Sequence, residues 1–322
     1  MARDHPRVVI ALGGNAIAPP GTGGTAEQQR RNIGGAMERI ASLVAGGYEV
    51  VLTHGNGPQV GNLLLKNDLA KDVVPPMPLD WCVAQTQATI GATMCTALEE
   101  ALDDVGLPLA VIPLISRVRV DPDDPAFSEP SKPVGRFVTD EAEVAAQVER
   151  TGETWAPQGP HGWRRLVASP QPVELLDGLS LRLVLDAGAI VVANGGGGIP
   201  TVRGADGRLR GVEAVIDKDL SGVLLAQHIE ADAFVILTDV PGVAVGHGTA
   251  DERWLGSISP AELRALQDAG EFAPGSMAPK VEAVTRFVEQ GGRRAAVGEL
   301  ADPLGVVEGR TGTQVSPEAA AP

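Results

Sequence analysis

Continuous apolar runs alternate along this chain with segments whose apolar residues recur at helical spacing. Residues 8–12 are apolar at every position, the pattern of a strand buried on both faces. Across about residues 25–45, Ile33, Met37, Ile40 and Val44 return every three or four positions, which predicts a helix with one buried face. Thr25 with Gln28 fits a capping box, and Gly46-Gly47 ends the helix. Similar patterning predicts strands at residues 49–53, 109–115, 190–193, 234–237 and 294–297. Helices are predicted over about residues 79–102, after Asp217, after Ser259 and over about 281–290. In the last of these, Val281, Val284 and Val288 share a face before Gly291-Gly292 stops it. Strands alternating with helices imply an α/β fold: a mostly parallel open sheet with helices on both faces.

One stretch departs from this alternation. From Arg119 to about Pro172 the chain is rich in Pro, Asp, Gly and Trp, too long for an ordinary connection. It reads as a small inserted subdomain of short strands and turns. Residues 316–322 are small and polar and are expected to be a disordered tail.

Composition narrows the function. A net charge of −15 disfavours nucleic acid and anionic membranes as partners. No apolar run reaches bilayer length, and the first residues carry no signal-peptide pattern, so a cytoplasmic protein is expected. Cys82 and Cys95 are too few for a disulfide framework, and the five histidines form no paired metal-ligand motif. The basic residues are 21 arginines but only five lysines: Lys66, Lys71, Lys132, Lys218 and Lys280. Lysine is a compact mobile point charge and arginine a planar fork. A lysine kept in such a chain marks a place where a point charge follows a moving phosphate, unless five is simply a chance remainder.

Three glycine-rich segments follow apolar strands: Gly13-Gly14-Asn15, Gly55-Asn56-Gly57 and Asn194-Gly195-Gly196-Gly197-Gly198. At the carboxyl ends of parallel strands, glycine lets backbone N–H groups approach an anion. Each could equally be a tight turn and no more. The Walker pattern is absent, and Gly55-Asn56-Gly57-Pro58-Gln59-Val60-Gly61 misses the dinucleotide fingerprint, with its third glycine one residue late and Pro58 inside it. Asp217-Lys218-Asp219 opens a helix with Asp217 as N-cap. A lysine at a helix start opposes the macrodipole unless an anion binds there. Asp219 could orient that lysine or a water on magnesium. Lys280 stands in a similar setting after Pro274-Gly275-Ser276-Met277-Ala278-Pro279. These are parts for phosphoryl transfer, which asks mostly for positioning and charge neutralisation.

Along nearly its whole length the chain resembles the carbamate kinase family of the amino-acid kinase superfamily. The resemblance rests on Ala11-Leu12-Gly13-Gly14-Asn15-Ala16-Ile17, Thr53 to Gly61, Lys132-Pro133-Val134-Gly135, Val167-Ala168-Ser169-Pro170, Gly195 to Pro200, Gly211 to Asp219, Thr238-Asp239-Val240, and Phe272 to Met277 with Lys280. It implies a three-layer α/β/α sandwich with a protruding subdomain over about residues 119–172. It implies one domain over 1–315, with a carbamate-binding half to about 210 and a nucleotide-binding half beyond. The implied reaction is reversible phosphoryl transfer between ATP and carbamate, with Mg2+ accompanying the nucleotide and no protein metal ligand assigned. A cytoplasmic homodimer is also implied. Carried over by motif, Lys132, Lys218, Asp219 and Lys280 are catalytic. Gly13, Gly14, Asn15, Gly55, Asn56, Gly196 and Gly197 hold the small acid. Thr238, Asp239, Val240, Val243, Ser276 and Met277 line the nucleotide. Asn194 replaces a usual small residue or Cys, Gln85-Thr86-Gln87-Ala88 replaces a usual Ser-Gln-Gly, and no aromatic residue follows Val240 in 241–245. The alternatives are another superfamily enzyme acting on a different small carboxylate or phosphate, a non-catalytic nucleotide sensor on this fold, and a nicotinamide-dependent dehydrogenase, which the broken fingerprint disfavours.

Overall fold

The computed structural model describes residues 5–14, 24–273 and 275–317. Asn15, part of the first glycine motif, lies outside them, as do Pro274 and the last five residues of the expected tail.

Eight strands form the central sheet: β1 (Arg7–Leu12), β2 (Glu49–His54), β3 (Val111–Pro113), β4 (Ile190–Val192), β5 (Ala233–Thr238), β6 (Ser257–Ile258), β7 (Arg294–Glu299) and β8 (Thr313–Val315). Their order across the sheet is β6-β8-β7-β5-β1-β2-β4-β3, and only β7 with β8 is antiparallel. The helices are α1 (Ala26–Ala45), α2 (Gly57–Ala70), α3 (Leu79–Asp104), α4 (Glu141–Thr151), α5 (Gly178–Asp186), α6 (Lys218–His228), α7 (Pro260–Asp268), α8 (Met277–Glu289) and α9 (Pro303–Glu308).

The alternation of β1 explains the layers. Val8, Ile10 and Leu12 enter one core with Ile33, Met37 and Ile40 of α1 and Ile90, Met94 and Leu98 of α3. Val9 and Ala11 enter the opposite core with Val223 and Leu225 of α6 and Val281, Val284 and Val288 of α8. A strand sandwiched this way has no wet face, so its sequence shows no polar alternation.

A second sheet, in the order Leu209–Gly211, Ile199–Arg203, Arg117–Val120, Pro172–Leu175, lies beyond β3 in the chain. Its strands Arg117–Val120 and Pro172–Leu175 pair antiparallel and so bring together the two ends of the Pro-rich excursion. Between them stands a lobe: a three-stranded antiparallel sheet of Lys132–Val138, Trp163–Val167 and Thr154–Pro157, with α4. The lobe rests on α2, where a Cβ on Gly61 would lie 3.5 Å from Cα of Gly135.

Several local outcomes differ from expectation, among them helix α4, capped by Asp140, in an excursion expected to hold only short strands and turns. The Thr25 hydroxyl accepts from the Gln28 N–H at 3.2 Å, but the Gln28 side chain turns to Asn32, so only half the capping box forms. The complete box is at Ser259 and Glu262. The strand expected over 109–115 shrinks to Val111–Pro113 at the sheet edge, with the flanking Ala110 carbonyl and Leu114 N–H still bonded to Ile190 and Val192 of β4 at 2.9 Å. Helix α2 was hidden behind Gly57-Pro58, which looks like a turn. Pro58 in fact occupies the first helical turn, where a missing N–H is not needed.

Candidate active site

The carboxyl ends of β1, β2, β4 and β5 bring the glycine segments to one edge. The Gly13 N–H donates to the Leu237 carbonyl at 2.9 Å, and the Gly55 N–H to the Leu12 carbonyl at 3.1 Å. Gly55 packs so closely that a Cβ there would lie 3.0 Å from the Gly14 nitrogen and 3.4 Å from Cδ of Lys218. Glycine is needed at 55 for this approach. At Gly196 and Gly197 it is needed for conformation as well, with φ of +63° and +92°. A Cβ on Gly196 would strike the Asn56 amide, and one on Gly197 would lie 2.4 Å from the Ile216 carbonyl oxygen. Gly13, Gly14, Gly55, Asn56, Gly196, Gly197 and Lys218 therefore form one contiguous wall.

Beneath the wall the polar side chains are satisfied. Asn56 donates to Thr86 Oγ1 at 2.9 Å. Gln87 donates to the carbonyls of Ser116 and Gly195 and accepts from the Ser116 N–H. Asn194, at φ 53°, donates to Ser221 Oγ at 3.0 Å, and its carbonyl accepts from Thr53. Thus Asn194, Thr86 and Gln87 build a hydrogen-bonded floor. His54 is fully buried. Burial lowers its pKa to about 4; a bond to the Gly55 carbonyl opposes that and Lys218 adds to it. It is neutral near pH 7.

Three lysines meet above this floor. Asp219 is 3% exposed and binds Lys218 through Oδ1 and Lys280 through Oδ2, the latter at 3.1 Å. Asp217 caps α6, its Oδ1 accepting from the N–H groups of Asp219 and Leu220, while its Oδ2 holds Lys132 at 3.1 Å. Lys132 Nζ also donates to the Ile216 carbonyl at 3.4 Å. Two aspartates on either side of Lys218 thus collect lysines from the lobe, α6 and α8, far apart in sequence. Burial lowers the Lys218 pKa, Asp219 opposes that shift and Lys280 reinforces it. Burial alone would raise the Asp219 pKa, but the two lysines outweigh it and hold the carboxylate ionised. Lys218 begins α6 and Lys280 lies in the first turn of α8, so two positive helix ends add to the field. Such a site neutralises a multiply charged anion and leaves each cation mobile enough to follow it.

Thr238 Oγ1 donates to Asp239 at 3.0 Å beside Gly13, so this segment adjoins the wall. Val240 is half-buried, and Ser276 and Met277 open α8 ahead of Lys280. Val243 stands apart: it is fully buried in the core, with its N–H bonded to Thr313, and its side chain presents no face to a ligand. The grip of Asp217 on Lys132 was not legible, since a capping residue gives no sign of a second partner 85 positions away. Glu213 was also unassigned. It accepts from the Leu79 N–H at the start of α3, tying the 211–219 segment to that helix.

A family model described as "Amino acid kinase family" matches residues 6–299, and with this fold and this site the chain belongs to that family. Its relatives define its place there. A carbamate kinase of Pyrococcus furiosus is 44% identical over 313 residues, 97% of this chain and 99% of that protein. One of Thermococcus kodakarensis is 46% identical over 312 residues, 96% and 98% of the two chains. The solved structure of carbamate kinase from Giardia lamblia bound to AMP-PNP has a TM-score of 0.89 at 37% identity, covering 97% of this chain and 99% of that one. Within the amino acid kinases, the chain belongs to the carbamate kinase family.

Proposed function

We propose that this protein transfers a phosphoryl group reversibly between ATP and carbamate: ATP + carbamate = ADP + carbamoyl phosphate. The observation that carries the reading is the cluster of Lys132, Lys218 and Lys280 on Asp217 and Asp219, against the glycine wall. A carbamate oxygen attacks the terminal phosphorus, a P–O bond forms in line, and the bond to the ADP oxygen breaks with its electron pair leaving on ADP. The reverse reaction retraces this path. No proton has to move, because the acid is already an anion. Lys218 and Lys280 neutralise the phosphoryl oxygens in flight, Asp219 keeps the two ammonium groups placed, and Lys132 steadies the carbamate side.

The family chemistry calls for a divalent ion, which we propose to be Mg2+ carried on the nucleotide phosphates. The acids of the site do not form a cage for it. Both oxygens of Asp219 are taken by lysines, and Asp217 is taken by Lys132 and two backbone N–H groups. When bound, the ion would offset charge on the nucleotide phosphates, while Asp217 and Asp219 keep the lysines placed. The nucleotide is assigned to the β5 edge at Thr238, Asp239 and Val240 with Ser276 and Met277, and the small acid to the wall. On this division residues up to about 210 serve the acid, those to 315 serve the nucleotide, and residues of about 119–172 form the protruding subdomain.

A cytoplasmic homodimer in arginine metabolism completes the reading. Exposed Ile112 on the edge strand β3 and Leu109 and Ile115 flanking it, with Leu179 and Leu183 on α5 beside β4, support self-association there. The experiment that tests the activity supplies carbamoyl phosphate and MgADP and measures ATP. ATP formation is expected; its absence, with nucleotide binding intact, would favour a sensor instead.

A further inference from the structure

The lobe sheet has two faces with different surroundings. Val134, Trp155 and Arg165 line a hollow against α2 and α4. Pro133, Phe137 and Arg164 line the other side, a cleft of about 830 Å³ that also contains Lys132 and Asp217. Arg164 and Arg165 are adjacent, so strand alternation sends them to opposite faces.

Their partners differ as well. Arg165 is paired with Glu153 at 3.1 Å and Glu213 at 3.6 Å. Arg136 and Arg150, the other lobe arginines, pair with Glu143 and with Gln147. Among the described residues, the Arg164 guanidinium has no carboxylate and no hydrogen-bond acceptor, and its Nε–H is buried without a partner. The Phe137 ring centroid lies 5.1 Å from the guanidinium carbon. A ring occupies the face of a guanidinium and leaves the N–H groups along its edge unspent. In a chain with 41 acidic side chains against 26 basic ones, a half-buried arginine without an acid partner is out of keeping with its surroundings. Burial lowers its pKa, as it does for a cation held away from water with no counter-charge.

We infer that Arg164 binds the small-acid substrate, its planar fork taking the oxyanion of carbamoyl phosphate or carbamate on the lobe side of the cleft. This rests on the carbamate kinase reading. The position favours the acid over the nucleotide. Facing Arg164 across the cleft are Gly57, Pro58, Gly61 and Asn62 of α2, which continue from Gly55 and Asn56. Lys132 and Asp217 line the same cleft, while Thr238, Asp239 and Val240 do not; Gly275 and Pro279, on either side of Ser276 and Met277, line it as well. A fork also adds what Lys132 cannot: two parallel N–H donors that fix the orientation of a planar or tetrahedral oxyanion.

Steady-state kinetics of ATP formation test the inference. Arg164→Gln should raise the KM for carbamoyl phosphate about ten- to hundredfold, the range expected for losing hydrogen bonds to a charged group. The KM for MgADP should stay within about twofold. Arg164→Lys should recover only part of the loss, and guanidinium ion should restore activity to Arg164→Gln more than to the unaltered enzyme. An unchanged KM for carbamoyl phosphate, an equal rise for MgADP, or a lowered melting temperature with unchanged kinetics would each overturn it. Should Arg164→Gln fail to fold, Arg164→Lys carries the same two KM readings. Absence of ATP formation by the unaltered protein would overturn the carbamate kinase reading itself. An active protein indifferent to Arg164 would overturn this inference alone.

Discussion

Asp219 is a buried acid whose two oxygens meet two different lysines, and neither lysine has a water-like surrounding to fall back on. Removing one ammonium therefore strips charge from the proposed phosphoryl site and leaves Asp219 undercompensated. Lys218→Ala and Lys280→Ala should each cut turnover about a hundredfold or more, measured by coupling ATP formation to a reporter enzyme. Lys218→Arg should also be impaired, because a rigid fork cannot replace a mobile point charge. Near-full activity in Lys218→Ala would count against its role. His54 makes a different forecast. It stays neutral in the fold down to about pH 4, while the unfolded chain protonates it near 6.5. Between those values the unfolded state binds more protons, so stability falls as pH drops, by about 3 kcal/mol across the whole window. Urea unfolding at pH 7.5 and 5 should show a loss about 2 kcal/mol smaller in His54→Gln than in the unaltered protein. Equal losses would show that His54 titrates normally.

At the scale of elements, the 194–198 loop and helix α1 both contain glycines with opposite consequences. Gly197 holds φ +92°, and a Cβ there would press on the Ile216 carbonyl, which also receives Lys132. Gly197→Ala should cost about 1–3 kcal/mol from backbone strain alone and should depress activity with it. Gly34 lies within α1 with nothing within 4 Å of an added Cβ, so Gly34→Ala should stabilise by about 0.5–1 kcal/mol. Thermal melting of the two variants should therefore move in opposite directions. Elements with strong local signals, such as β1, β2 and the Ser259-capped α7, could be read directly from the chain. Helix α2 could not. Only Val60 of its residues is fully buried, so it lacks the apolar stripe that periodicity detects, and its stability comes from packing under the lobe.

For the whole molecule, the lobe and body meet across the cleft through Lys132 and Asp217, a partly exposed ion pair that is individually weak. An anion seated between them would strengthen that junction. Carbamoyl phosphate should accordingly slow amide hydrogen exchange in residues 132–167 and 55–62, read by mass spectrometry, and unchanged exchange in both would argue that the substrate does not bridge them. The chain by itself settled the α/β alternation and placed the glycine segments, and its short motifs marked Lys132, Lys218 and Lys280 as candidates, because apolar period, glycine placement and short motifs are local properties. It also exposed the excursion through its composition. Only the tertiary structure decided that the lysines share two aspartates, that Val243 is core, and that Arg164 and Arg165 face opposite ways with only one of them paired. Those facts depend on contacts between residues tens to hundreds of positions apart, and nothing in the order of neighbours along the chain encodes which distant side chain will supply a counter-charge.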